Sequence, residues 1–190
     1  NQGTLNGSAF THIANLLGGS GDDTFVFATA GTLSGDLTGG SQITHDILNL
    51  SAKLGTVTIN QQTQKATGIA GIFTQIEEVI GNGAGTTLTG SNSGQTFTLT
   101  GANAGKAGSL FFSGVANLIG GSGSDTYTGN GGSLSGTITD GAFTGDKTAF
   151  IEGGDGGSTT ISGSLNVAGL YLNSTSLTIN GDIDTGSGTV

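Results

Sequence analysis

Two glycine-rich segments hold the residues of this chain that are best suited to chemistry. Residues 18–25 read Gly-Gly-Ser-Gly-Asp-Asp-Thr-Phe, and residues 120–127 read Gly-Gly-Ser-Gly-Ser-Asp-Thr-Tyr. Both match the pattern G-G-x-G-x-D-x-U-x, in which glycines let backbone carbonyl oxygens converge and an aspartate adds an anionic oxygen. Calcium takes six to eight oxygen ligands. The pattern therefore predicts a calcium site that uses Asp22, Asp23 and Asp125.

A purely structural role explains the same residues. Calcium-binding repeats share each ion between successive turns, whereas each glycine-rich segment here stands alone. The glycines would then form a tight corner at which Asp23 and Asp125 cap backbone amides. Both interpretations stay open. If calcium binds, a neighbouring segment has to supply further ligands, and the acids to examine are Asp22, Asp36, Asp140, Asp146 and Asp155.

Other reactive side chains are not grouped in a way that indicates catalysis. His12 and His45 are too few for zinc in a chain without cysteine. Glu77 and Glu78 are neighbours in a predicted strand, so they point to opposite faces and cannot share one acid–base site. The glycine-rich segments lack the lysine of a phosphate-binding loop. We therefore expect a protein that is not an enzyme.

The positions of these segments show an internal repeat. Residues 13–25 return as residues 115–127, an offset of 102 that also relates Phe10 to Phe112. A degenerate copy covers residues 73–83 and lacks the aspartate. Self-similarity at a fixed offset is typical of chains that stack one structural unit. Asn15 and Asn117 should then occupy equivalent corners and form hydrogen bonds along the stack.

Composition limits the classes of partner. The 190 residues include 39 glycines, no proline, no cysteine and only four lysines as basic side chains beside the two histidines, with a formal net charge of −9. Nucleic acids and anionic membranes attract basic surfaces, so binding to either is disfavoured, and no apolar run reaches the length of a membrane helix. An acidic surface suits an extracellular protein and cation binding.

Short runs that alternate threonine with apolar residues predict an all-β fold. The repeat favours a parallel β-solenoid over an antiparallel β-sandwich, because a sandwich needs no repeat. Residues 1–156 would form coils that contain the repeat, and residues 157–190 shorter coils of the same β-helix. The predicted inner face consists of Ile13, Leu16, Phe25, Leu33, Ile59, Ile76, Val79, Phe97, Leu118, Ile138, Ile161, Leu165, Leu177 and Ile179.

The strand Phe97-Thr98-Leu99-Thr100 and the run Leu177-Thr178-Ile179-Asn180-Gly181-Asp182 resemble repeats of large bacterial exoproteins, the adhesins of the filamentous-haemagglutinin, two-partner-secretion type. That resemblance implies a right-handed parallel β-helix, secretion to the bacterial cell surface, and a role in adhesion or biofilm matrix. It brings no catalytic residue and no certain cofactor.

The expected function is a stiff extracellular rod that supports attachment. Its expected partners are neighbouring repeats of a longer parent chain, host or biofilm glycans, other surface proteins, and further copies bound head to tail through exposed end strands. Two alternatives remain. One is a module whose folding depends on Ca²⁺, and the other is a β-helix that binds or cleaves polysaccharide.

Overall fold

Strands account for all the regular structure of the described residues, none of which is helical. The computed structural model describes the backbone of residues 2–5, 8–11, 13–123, 125–129, 131–139, 150–153, 158–161, 165–166 and 176–184, and the side chains of residues 13–123, 125–129, 131–139, 161 and 178–183. The all-β prediction is confirmed.

The strands follow the alternating runs of the sequence. They are β1 (Gln2–Leu5), β2 (Ser8–Thr11), β3 (Leu16–Ser20), β4 (Thr24–Val26), β5 (Leu37–Ser41), β6 (Ile47–Asn49), β7 (Val57–Asn60), β8 (Lys65–Ala66), β9 (Phe73–Thr74), β10 (Glu78–Thr89), β11 (Thr96–Gly101), β12 (Ala104–Ala107), β13 (Leu110–Ile119), β14 (Thr126–Gly129), β15 (Ser133–Leu134), β16 (Ile138–Thr139), β17 (Phe150–Gly153), β18 (Ser158–Ile161), β19 (Leu165–Asn166), β20 (Ser176–Ile179) and β21 (Ile183–Asp184).

Most strands pair in parallel with strands that are distant in the sequence. The parallel ladders between described strands are β3–β5–β9, β4–β6–β10–β13, β7–β10–β13–β16–β19–β21, β11–β14–β17 and β15–β18–β20. The long strands β10 and β13 belong to two ladders, with register shifts between Ile80 and Thr87 of β10. The number of residues between ladder partners varies twofold. It is low between Leu165 and Ile183 and high between Leu37 and Phe73.

Antiparallel pairs also occur in the 15-stranded sheet, which is therefore mixed, and the sheets do not close. Each antiparallel pair between described strands involves β1, β8 or β12. β8 folds back on β7, and β12 lies between β11 and β13. These hairpins within a mainly parallel arrangement were not predicted from the sequence.

The offset of 102 found in the sequence reappears as an identical strand register. In the hairpin of β1 and β2, Gly3 lies opposite Phe10. In the hairpin of β12 and β13, Gly105 lies opposite Phe112. The two copies of the sequence repeat therefore build the same hairpin.

Apolar side chains of successive ladder strands stack to form one core. In the ladder that contains β4, the stacked residues are Phe25, Leu48, Val79 and Phe112, each at most 3% exposed. Most of the predicted inner-face residues belong to this core. Ile13 does not: its side chain is 38% exposed, because it precedes β3 and no described ladder residue pairs with it. Ile179 is partly buried, and the side chains of Leu165 and Leu177 lie outside the described residues.

Candidate functional site

The first glycine-rich segment forms a corner between β3 and β4. Gly18 lies in β3, and the carboxylate of Asp23, at the start of β4, folds back towards it. A Cβ atom added to Gly18 would lie 2.4 Å from Asp23 Oδ2 and 2.3 Å from the carbonyl oxygen of Gly39 in the neighbouring strand β5. Glycine is therefore required at this position by the close approach of a carboxylate and a second backbone.

Acidic residues stack at this corner, one before each of three neighbouring strands of the ladder. Asp23, Asp46 and Glu77 come directly before the paired residues of β4, β6 and β10. The amide of Asp23 donates to Asp46 Oδ1 at 2.8 Å, and the amide of Asp46 donates to Glu77 Oε2 at 3.0 Å. The carboxylates of Asp46 and Glu77 thus cap an amide of the segment before them, which is the kind of structural role that the sequence suggested for Asp23.

Two of the stacked carboxylates are buried, and each has an oxygen atom without a hydrogen-bond partner among the described residues. Asp23 is 8% exposed and Asp46 is fully buried. The Oδ2 atoms of both have no hydrogen-bond partner among the described residues. Burial of a polar atom without a partner opposes folding, so the bonds made through Asp46 Oδ1 and Glu77 Oε2 and the surrounding core have to offset that cost.

Asp22 has a different partner from its neighbour Asp23. Its Oδ1 accepts hydrogen bonds from the amides of Ile43 and Thr44, both at 2.7 Å, and its Oδ2 accepts one from the Thr44 hydroxyl. The hydrogen bonds from the Thr44 hydroxyl and amide hold the pKa of Asp22 below its ordinary value, with smaller contributions from the Ile43 amide and the charge of His45. Asp22 thereby fixes the loop between β5 and β6.

The second glycine-rich segment forms a corner of the same kind before β14. Asp125 is fully buried, and its Oδ1 accepts a hydrogen bond from the amide of Gln95 at 3.0 Å. The Gln95 side chain donates to Gln61 Oε1 at 2.7 Å, which extends the polar stack. A Cβ atom on Gly121 would lie 1.9 Å from the carbonyl oxygen of Ser91, so this glycine also permits close packing of two backbones.

The acids proposed for calcium belong to separate corners. Asp22 and Asp23 adjoin β4, and Asp125 adjoins β14. The part of the chain that the structure describes contains no group of three or more His, Asp or Glu side chains that could hold a metal ion. Asp36 accepts a hydrogen bond from the amide of Ile72. Asp140, Asp146 and Asp155 lie outside the described residues.

The adjacent residues Glu77 and Glu78 contact different groups. Glu77 caps the amide of Asp46, whereas Glu78 Oε2 lies 3.6 Å from Nδ1 of His45. The ring of His45 is 4.4 Å from the ring of Phe111. His45 therefore belongs to a surface contact between β6, β10 and β13, and His12 lies outside the described residues.

Two buried charged residues were missed by sequence reasoning. Asp46 follows no Gly-Gly-Ser-Gly segment, but it shares with Asp23, Glu77 and Asp125 the local pattern of an acid, any residue and an apolar residue at the start of a strand. That pattern would have found it. Lys53 is 6% exposed and donates to the carbonyl oxygen of Gly31. Burial lowers the pKa of the Lys53 ammonium, and no local sequence signal marks it.

A cavity of about 150 Å³ lies where the hairpin turn after β7 meets the segment after β9. Gln64 and Gln75, which line it, both have positive φ angles, of 55° and 52°. Its described lining is free of charged side chains and consists of Gln61, Gln64, Phe73, Thr74, Gln75, Ile76, Ser109 and Leu110. Such a surface can offer amide and hydroxyl hydrogen bonds to a small neutral molecule.

Comparison with known proteins gives no relative from which a role could be transferred. No protein-family model, no curated protein and no solved structure matches the chain. Within the described residues, no helix is long and apolar enough to cross a membrane. The function therefore has to be argued from the ladders and their corners.

Substitution of Gly18 tests whether the first glycine-rich segment is a packing device. We expect Gly18→Ala to lower the free energy of unfolding by about 1–3 kcal/mol, because the new methyl group meets a backbone carbonyl that cannot easily move. Gly101→Ala is the matched control, since its Cβ would find its nearest neighbour at 3.6 Å. Urea unfolding followed by circular dichroism measures both. Equal stability of the two variants would contradict the packing role.

Asp22 should make stability depend on pH. Its folded-state pKa lies below the value of 3.8 expected when unfolded, so its stabilising effect is complete above that value and is lost as the pH falls through the folded pKa. We expect Asp22→Asn to melt at a lower temperature than the parent chain at neutral pH and to converge with it in strong acid. Thr44→Val, which removes the main hydrogen-bond donor, should show the same convergence. A melting difference that is constant with pH would contradict this assignment.

Proposed function

We propose that the chain is a structural rod segment of an extracellular bacterial adhesin or biofilm-matrix protein, built as a right-handed parallel β-helix. The observation that supports this proposal is the set of in-register parallel ladders between strands that are distant in the sequence, such as β19 with β21 and β5 with β9. A chain that returns to the same ladder after each such interval winds into coils. The hairpins of β8 and β12 are then insertions within single coils.

The bonding between coils suits a mechanical role. Interior ladder strands form backbone hydrogen bonds on both edges, and corner side chains such as Asp46 and Asp125 add bonds to the backbone of an adjacent coil. With neighbouring strands about 4.8 Å apart, the six strands of the longest ladder span about 24 Å. An axial load is therefore shared by many hydrogen bonds.

The composition supports a location outside the cell and a role without catalysis. The chain is acidic and has neither cysteine nor arginine. The buried acids Asp46 and Asp125 bind backbone amides, an arrangement that gives stability rather than an exposed acid–base pair. Attachment would then come from glycans or surface proteins that bind along the rod or beyond it.

Single-molecule stretching between the two ends tests the rod. We expect stepwise unfolding, because a β-helix can lose coils one after another from its ends. Each step should release roughly 60–130 Å of chain, the extended length of one interval between ladder partners. An antiparallel sandwich joined to the same handles is the control and should open in one large step. A single opening of the whole chain would contradict the coil arrangement.

The adhesive role needs its own measurement. The chain is displayed on a non-adherent bacterium, and the cells that remain on a biofilm-coated surface after washing under flow are counted. We expect more cells to remain than with the control, an unrelated β-helix of similar length displayed in the same way. Retention equal to the control would contradict adhesion and leave the structural rod intact.

Calcium binding by Asp22, Asp23 and Asp125 stays a prediction and forms the alternative function. The corner hydrogen bonds of Asp22 and Asp125 already use protein donors. We therefore expect the melting temperature to be the same in excess calcium and after treatment with a chelator. A fall of many degrees on chelation would instead support a module whose folding depends on Ca²⁺.

A further inference from the structure

The cavity of about 150 Å³ lies where the regular stacking of strands is interrupted. In the ladder β3–β5–β9, no described strand pairs with the outer edge of β9. The turn of the β7–β8 hairpin covers that edge instead, and the amide of Phe73 donates to the carbonyl oxygen of Gln64 at 2.8 Å. The turn between β12 and β13 supplies Ser109 and Leu110. Two of the antiparallel hairpins therefore border the same cavity.

The cavity has an apolar floor and a polar rim. Phe73, Ile76 and Leu110 are each at most 9% exposed, whereas Gln64 and Gln75 are exposed. Neither of these two glutamine side chains forms a hydrogen bond with another described residue. Each amide therefore has both its donors and its acceptor free for a ligand.

Gln61 holds the walls of the cavity together. Its Nε2 donates to the carbonyl oxygen of Ala107 at 3.1 Å, and its Oε1 accepts from Gln95 Nε2 at 2.7 Å. These bonds join the turn after β7 to β12 and to the residue before β11. The cavity is thus preformed, and a ligand that enters it does not have to order its walls.

Two lining residues have a backbone conformation that glutamine rarely adopts. Gln64 and Gln75 have φ angles of 55° and 52°, and Asn103 is the only other described residue apart from glycine with a positive φ. Asparagine tolerates this conformation better than glutamine does. Backbone strain of this kind is concentrated at binding and active sites. The conformation of the two glutamines therefore favours a role in ligand binding.

The lining favours an uncharged ligand that has several hydroxyl groups. The described lining residues carry no charge, so an anion or a cation buried there would find no partner of opposite sign. An amide group both donates and accepts hydrogen bonds, as a hydroxyl group does, and the two therefore match. The apolar floor suits the C–H groups of a ring, and cavities of about 150 Å³ hold a single six-membered ring.

We propose that this cavity binds one uncharged sugar residue, whose ring lies over Phe73, Ile76 and Leu110 and whose hydroxyl groups form hydrogen bonds with Gln64 and Gln75. A sugar at the end of a glycan can enter, because both glutamines lie at the surface. The inference rests on the attachment role proposed above, for which it supplies a ligand class and a binding site.

Saturation-transfer difference NMR with the full chain tests the ligand class. The probes are the methyl glycosides of glucose, galactose, mannose and N-acetylglucosamine. We expect saturation transfer to at least one of them, and a signal several-fold weaker for its uronic acid form, in which C6 is a carboxylate that the cavity leaves without a partner. The absence of binding by all four glycosides, or equal binding of the uronic acid form, would overturn the proposal.

Substitution by asparagine separates binding from folding. Gln64→Asn and Gln75→Asn place a shorter amide on a residue that tolerates positive φ better. We expect both variants to unfold at the same or a higher urea concentration than the parent chain and to bind the glycoside several-fold more weakly. Thr63→Ala, which lies on the same turn but does not line the cavity, is the control and should bind like the parent. Unchanged affinity in both asparagine variants would overturn the proposal, because a merely structural role predicts no change in binding.

The measurements also distinguish this inference from the proposed function. Displayed cells that resist flow, in the absence of any glycoside binding, would overturn the sugar site alone. Glycoside binding by a chain that opens in a single step under force would overturn the rod and support the sugar site.

Discussion

The structure depends on how backbone amides are satisfied where one strand ends and the next begins. Strand pairing does not reach these amides, and a buried amide without a partner costs about 1–3 kcal/mol. In this chain a carboxylate or amide side chain from an adjacent segment supplies the partner. Asp46 and Asp125 each accept from the amide of an earlier segment, whereas Asn15 and Asn117 accept from a later one. Each kind of corner is therefore hydrogen-bonded to an adjacent segment, the aspartates to an earlier one and the asparagines to a later one.

The need to place a capping side chain against a neighbouring backbone explains the high glycine content better than a need for a flexible backbone does. A side chain that reaches the backbone of the next segment needs space above it, and glycine leaves that space. Added Cβ atoms at Gly35 and Gly136 would lie 2.0 and 2.2 Å from Oδ1 of Asn15 and Asn117, respectively. At Gly18 and Gly39 they would meet the carboxylates of the stacked acids. These glycines are thus packing residues of a rigid arrangement.

The sequence predicted those features that the repeat itself encodes. The offset of 102 predicted equivalent corners for Asn15 and Asn117, and the structure confirms it: each caps an amide of the next segment. The alternation of apolar and polar residues predicted most of the core, although the prediction that Ile13 is buried was wrong. Lys53 was missed because its role depends on a partner that is distant in the sequence, and no local signal marks it. Asp46 was missed because the search was limited to the Gly-Gly-Ser-Gly segments, although it shares the local pattern of Asp23, Glu77 and Asp125.

The spacing between ladder partners explains why only the longest repeat is visible in the sequence. Leu16, Leu37 and Phe73 follow one another in a single ladder, although the interval from Leu37 to Phe73 is much longer than the one before it. The hairpin of β7 and β8 lies within the longer interval. What stays constant is the apolar residue that enters the core, together with the polar residue that caps the next corner. Because the length of chain between those two points differs from one ladder step to the next, the sequence shows no period of the length of a single step.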